Sequence, residues 1–220
     1  MTFLIYKILS LFKKSYSQDG EDVFLADIFK NKKKGFYIDV GAHHPFRFSN
    51  TYMFYKKGWH GINIDATPGS MKLFEKHRPK DINIEIPVSN KHKRMNYYVF
   101  DEPALNSFSS KLSKDRDAHT VYKIEKVIGL VPQKLSKILD KNLRPNTNID
   151  FMSIDVEGYE YEVLSSNNWN KYKPNYLLVE ILKTELVDIY KNKVYEYLIN
   201  KNYCVVGKTG RTVIFKRKKR

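Results

Sequence analysis

Three hydrophobic runs in this 220-residue chain end in groups that could do chemistry. FYIDVGAHHP, residues 36–45, delivers Asp39, Gly41, His43 and His44. GINIDATPGS, residues 61–70, delivers Asp65, and IDFMSIDVEG, residues 149–158, delivers Asp155, Glu157 and Gly158. A glycine just past a strand lets a ligand approach the main chain, and an acid closing the next strand commonly accepts hydrogen bonds from both hydroxyls of a ribose. Carboxylates and imidazoles are also the groups that take a proton from a reacting hydroxyl.

The glycine pattern narrows the ligand. G-A-H-H-P-F supplies one glycine where a dinucleotide fingerprint needs three, so NAD is disfavoured. GKTG at 207–210 is not a phosphate loop, because Asn202 stands where that loop requires its first glycine. Ribose recognition without pyrophosphate recognition points to a nucleoside lacking a phosphate chain, and S-adenosylmethionine is the common cofactor of that kind.

Placing these groups together requires strands whose ends converge. FYIDV (36–40), GINID (61–65), INIEIPV (82–88), IDFMSID (149–155) and NYLLVEI (175–181) are short, β-rich and bounded by turn residues, as parallel strands buried on both faces should be. Helical segments alternate with them: SNTYMFYKK, PGSMKLFEKH opened by Pro68, YEYEVLSS, and TELVDIYKNKVYEYLINK, expected to be the longest helix. YCVVG and TVIFK read as a closing antiparallel hairpin. The expectation is one doubly wound α/β domain over residues 1–220, with residues 1–34 as an N-terminal helical segment. Residues 89–148 are too long for one crossover and read as an inserted strand (MNYYVF), a loop (ALNSFSSKLSKDRD) and a helix (VYKIEKVIGLVPQKLSKILDK) on the substrate side.

Composition sets bounds. With 42% hydrophobic and 14% aromatic residues the chain can bury a sizeable core. A formal charge of +15 fits either an anionic partner or a lysine-rich codon bias, and says nothing of the fold. Cys204 stands alone, which excludes an intrachain disulfide and a cysteine zinc site and suits a reducing, cytoplasmic setting. The leading MTFLIYKILSLFKK is too short to span a bilayer and lacks a cleavage site. It reads as a helix packed on the domain, or one lying on the inner face of the membrane.

SYSQDGEDVFL, DVGAHHPFRFSNTYMFYKKGWHGINIDATPGS and IDFMSIDVEGYEYEVL, in that order across residues 15 to 185, resemble the FkbM family of S-adenosylmethionine-dependent methyltransferases. The resemblance implies a Rossmann-like class I methyltransferase fold: a mostly parallel seven-stranded sheet with a C-terminal antiparallel hairpin and an insertion after the third strand. It implies that Gly41 and Ala42 approach the methionine part of the cofactor, that Asp39 favours its ammonium, and that Asp65 and Ala66 hold the ribose. Ser89, with Val88, would border the adenine. Gln18 and Asp22, with Ser17 and Asp19, would close over the cofactor, and Asp155 would touch it from the fourth strand.

On the acceptor side the expectation is O-methylation of a sugar or sugar nucleotide, an anionic small molecule destined for surface polysaccharide. Asp155, His44 and Glu157 are the catalytic candidates, with His44 preferred over His43 as the acting histidine. His43, Arg47, Asn106 and Ser107 are expected to bind the acceptor, with Arg116 lining its pocket and Arg47 or Arg78 clamping a phosphate. Asp155, Glu157 and Glu180 offer hard oxygen ligands for Mg²⁺. Two rival readings stand beside this one. Lys183 follows the fifth strand as a catalytic lysine does in RNA ribose methyltransferases, but YCVVGKTGRTVIFK lacks the glutamate of that set. A non-catalytic protein could use the same fold and its basic surface to bind a membrane or a partner.

Overall fold

A computed structural model describes residues 15–182 and 184–218, so the expected leading helix and Lys183 lie outside the described residues. Nine strands are present among them: β1 (Phe36–Val40), β2 (His60–Asp65), β3 (Ile82–Glu85), β4 (Met95–Phe100), β5 (Ile124–Leu130), β6 (Phe151–Ile154), β7 (Tyr176–Glu180), β8 (Tyr203–Thr209) and β9 (Thr212–Arg217). Seven form one sheet in the order β3-β2-β1-β6-β7-β9-β8. β3, β2, β1, β6 and β7 run parallel, and β9 is antiparallel to both β7 and β8. This is the expected class I methyltransferase architecture. The chain leaves β1 to one side and returns at β6 on the other, which opens a switch point beyond the carboxyl ends of those two strands.

Alternation along the strands sorts the core into two layers. Ile38, Val40, Ile62, Ile64, Met152 and Ile154 face one way, against α5 (Leu135–Asn142), α6 (Glu160–Ser165) and α7 (Lys193–Ile199). Tyr37, Phe151, Leu178 and Ile214 face the other, with Leu25 of α1 (Glu21–Ile28), Phe54 of α2 (Tyr52–Lys56) and Trp59. α3 (Met71–His77) adds Met71 and Phe74 over Ala42. No helix among the described residues is long and apolar enough to cross a membrane.

The inserted segment departs from the sequence reading. β4 pairs antiparallel with β5 as a separate two-stranded ribbon, although residues 124–130 were expected to be helical. Cross-strand pairing of Tyr97 with Ile128 and Tyr98 with Val127 outweighs the helical spacing there. The polar run expected as loop instead carries α4 (Ser110–His119), opened by Ser109, whose Oγ accepts from Leu112 N at 3.4 Å. The expected long helix after β7 is broken into a 3-10 segment, Leu186–Lys191, and α7, where Asn192 Oδ1 caps Val194 N at 2.8 Å.

Arg78 is fully buried and structural. Its Nε donates to Asp81 Oδ2 at 2.9 Å, and its Nη2 donates to Tyr37 Oη at 2.9 Å and Thr51 Oγ1 at 3.0 Å. Thr51 Oγ1 in turn donates to Asp39 Oδ2 at 2.8 Å. This chain ties α3 and α2 to β1, and it corrects the reading of Arg78 as a phosphate clamp, because a guanidinium with no exposed surface cannot reach an acceptor.

Candidate functional site

The turn after β1 is forced by close packing. Gly41 has φ +83°, and a Cβ there would stand 1.6 Å from the carbonyl oxygen of Asp155 at the end of β6. Only glycine lets the two central strand ends meet. Gly41 N and Ala42 N donate to Ile64 O at 2.9 and 3.1 Å, so the turn folds over the end of β2.

Beyond these ends lies an open cleft. Gly41 and His43 line it from β1, Asp65, Ala66 and Thr67 from β2, and Asp155, Val156, Glu157 and Tyr159 from β6. Asp65 is nearly buried, accepting from His43 N and Thr67 N at 2.8 Å each. Each carboxylate oxygen keeps a second lone pair for a ligand hydroxyl. His43, at φ 54°, turns its ring into the cleft, where Nε2 is buried without a partner. Burial lowers its pKa and keeps the ring neutral.

The insertion walls this same cleft. Tyr97, Pro103, Ala104, Asn106 and Phe108 line it. Tyr97 Oη and Thr67 Oγ1 are 2.9 Å apart, and Asn106 Nδ2 donates to Thr67 Oγ1 at 3.2 Å. Asn106, expected on the acceptor, therefore belongs to the wall facing the ribose acid. Ser107, expected beside it, is buried and donates to Glu157 O at 2.7 Å, where it supports the turn after β6.

Asp155 also lines a second, smaller recess. Its other walls are Gln18, Asp19 and Glu21 before and within α1, Phe48 and Asn50, Glu180 at the end of β7, and Arg211 and Thr212 of the closing hairpin. The Glu21 carboxylate accepts from Asp19 N and from Thr209 Oγ1, which fastens the N-terminal loop to that hairpin. Asp155 thus stands at the junction of the two clefts.

The junction is crowded with acids. Burial raises Asp155, and Glu157 and Glu160 raise it further, while Glu180 is raised by burial and then by Asp155. Glu160, in the first turn of α6, is pushed up to about 7 by burial although its Oε1 accepts from Val156 N and Gly158 N at 3.2 and 2.9 Å. Glu157 adopts φ 54° and pairs with Arg116 Nη2 at 2.5 Å. Arg116, expected along the acceptor, holds this carboxylate instead.

Several expected site residues lie elsewhere, each for a visible reason. Asp22 is fully buried and accepts from Ser15 Oγ, Tyr16 N and Ser17 Oγ, so it organises its own loop rather than closing on a cofactor. Gln18 faces the smaller recess. Asp39 is spent on Thr51, with its carboxyl pushed up to about 6 by burial, and lines neither cleft. Ala42 packs with Met71 and Phe74, and Ser89 is buried, donating its N–H to Gln133 O. His44, the preferred catalytic histidine, accepts Phe46 N and Arg47 N on Nδ1, at 3.3 and 3.1 Å, and fixes the loop. Arg47 makes two bonds to Glu102, at 2.9 and 2.7 Å, and holds that carboxyl down at about 2.

Sequence reasoning missed Thr67, Tyr97, Phe108, Glu160 and Arg211. Glu160 had a readable signal, an acid two residues after Gly158 at a helix start. Arg211 had none, since only the β7–β9 register, which sets Glu180 opposite Thr212, brings it to Glu180.

A family model described as "Methyltransferase FkbM domain" matches residues 39–203. No curated protein matches the sequence significantly. Among solved structures the chain is similar to a candidate RNA methyltransferase of Pyrococcus horikoshii, at 9% identity and TM-score 0.46, over 94% of this chain and 92% of that one. It is also similar to a candidate type 11 methyltransferase of Sulfolobus solfataricus, at 11% identity and TM-score 0.44, over 94% and 95%.

Proposed function

The chain belongs to the FkbM methyltransferase family, and from that premise we propose that it transfers a methyl group from S-adenosylmethionine to a hydroxyl of a sugar or sugar nucleotide. The observation that carries this reading is Asp155, which among the described residues is the one side chain shared by the cleft beyond β1 and β2 and a smaller acid-lined recess.

The residues present fit the adenosyl group. Asp65 offers both carboxylate oxygens to ribose hydroxyls, Tyr97 and Phe108 give flat apolar walls, and His43 presents an unpartnered nitrogen. When bound, the cofactor supplies an electrophilic methyl group. Asp155 then takes the proton of the acceptor hydroxyl, whose own pKa lies far above neutrality, as that oxygen attacks. Glu180, its own carboxyl raised by burial, shares a side-chain hydrogen bond with Asp155 that favours the Asp155 carboxylate, while Arg211 Nε, 3.7 Å from Glu180 Oε1, holds Glu180 in place. The recess sets Asp19, Glu21, Asp155 and Glu180 against one arginine, which favours a neutral hydroxyl-bearing part of the acceptor over its phosphate.

The test is calorimetric titration with S-adenosylhomocysteine, with NAD as control. Wild type is expected to bind S-adenosylhomocysteine and not NAD. Asp65→Ala is expected to weaken binding on the order of 10²-fold, because two charge-assisted hydrogen bonds to the ribose are lost. Unchanged affinity in Asp65→Ala would remove the ribose from this place in the cleft.

A further inference from the structure

We propose that Asp155, Glu157 and Glu180 together hold one divalent, oxygen-preferring cation, Mg²⁺ or Mn²⁺, at the junction of the two clefts. The inference rests on the methyltransferase reading for its role, though not for its geometry.

Each of the three residues brings a carboxylate oxygen within 4.8 Å of the others. Opposite oxygens are about 4.2 Å apart around Mg²⁺ and about 5 Å apart around Ca²⁺, so the cluster spans the range a hard cation takes. The way the outer oxygens are held is the second observation. Arg116 takes Glu157 Oε2 from one side. Arg211 approaches Glu180 Oε1 from the other, at 3.7 Å. The remaining oxygen of Glu180, Oε2, is buried and has no donor among the described residues. Glu180 as a whole is 3% exposed, so water does not reach it freely. An acceptor oxygen left bare in such a place is costly unless a cation or a donor occupies the gap.

Each arginine thus engages one carboxylate, as outer partners do in metal sites, and one oxygen of each of the three acids stays within 4.8 Å of the others. Two guanidiniums stand against three carboxyl groups, and Glu160 adds a fourth acid beside them. Glu157 is fixed in this arrangement by its left-handed backbone and by the Ser107 bond to its carbonyl. An all-oxygen, acid-rich donor set selects Mg²⁺ or Mn²⁺ over the softer metals, which prefer imidazole or thiolate. A cation there would accept the acceptor's hydroxyl oxygen as a ligand and lower its pKa, while the second oxygen of Asp155 stays free to receive the proton.

The experiment is titration of the purified chain with MnCl₂, following loss of the free-ion signal by electron paramagnetic resonance, with Mg²⁺ added as competitor. Wild type is expected to bind one equivalent that excess Mg²⁺ displaces. Glu180→Gln is expected to weaken binding by at least about tenfold, because one charged ligand is lost, whereas Asp19→Asn, in the same recess but outside the triad, stays within about threefold. Thermal unfolding of each variant checks the fold, and Glu157→Gln carries the same expectation should Glu180→Gln fail to fold. No binding by wild type at about 1 mM Mn²⁺, or equal loss in Asp19→Asn and Glu180→Gln, would overturn the site. S-adenosylhomocysteine titrated in parallel separates the two ideas. Its binding without Mn²⁺ binding sinks the cation and spares the methyltransferase reading. Mn²⁺ binding lost in Glu180→Gln, with no adenosyl binding, supports the cation and sinks the other.

Discussion

Asp155→Asn is expected to lower turnover about 10³-fold while changing S-adenosylhomocysteine affinity by less than about fivefold, the range set by loss of a general base rather than of a binding contact. The substitution keeps size and shape, so the packing of β6 against Gly41, which uses the main-chain oxygen of Asp155, is untouched. What is lost is a group able to receive a proton, at the one place open to both clefts. The expectation is checked by single-turnover methyl transfer to an acceptor that wild type methylates, beside calorimetry of the product cofactor. A parallel fall in cofactor affinity would place Asp155 in the grip on the adenosyl group and move the search for a base to Glu180 or His43.

The same contrast explains what was legible in the sequence. Gly41, Asp65 and Asp155 each terminate a buried strand, and a short apolar run followed by a polar residue already says where the ligand side of a parallel sheet must be. The parallel strands and the closing hairpin followed from that rhythm, while their order in the sheet is a finding of the structure. The insertion was less readable, because VYKIEKVIGL carries both helical spacing and β-branched residues, and only pairing with MNYYVF decides between them. Its placement over the cleft beyond β1 and β2 depends on a contact distant in sequence, Tyr97 to Thr67, which no local pattern encodes.

Side-chain direction was the other blind spot. Adjacent His43 and His44 differ by one backbone state. His43 takes φ 54° and enters the cleft, while His44 turns back to accept two amide hydrogens of its own loop. A loop of SDG-type residues such as YSQDGED reads equally well as a lid or as a self-capped turn, and three donors on Asp22 settle it as the latter.

Arg78→Met carries the largest expected cost to stability, about 3–5 kcal/mol, the usual loss when one partner of a buried ion pair is removed and the other stays behind. Asp81 would keep its bonds from Tyr37, Gly61 N and Asn63 but lose its counter-charge. Asp39 would lose the cation that opposes its burial. For a chain of this size the midpoint of thermal unfolding should fall by roughly 10 °C. The pH dependence follows from Asp39, whose carboxyl is pushed by burial to about 6 in the folded chain, above its ordinary value of 3.8. A raised carboxyl favours the folded state below its unfolded pKa, and that contribution is lost as pH rises through about 6. Without Arg78 the folded pKa moves higher still, so the deficit of the variant should be larger at pH 8 than at pH 5.5, read by thermal unfolding at both values. If the arginine instead gripped an acceptor phosphate, the variant would unfold like wild type at both pH values and show only a raised acceptor KM. A guanidinium whose Nε and Nη2 are taken by Asp81, Tyr37 and Thr51, and whose Nη1 donates to Pro45 O and Ser49 Oγ, has no donor left in a direction that solvent can reach, and that is why the stability result is the one expected.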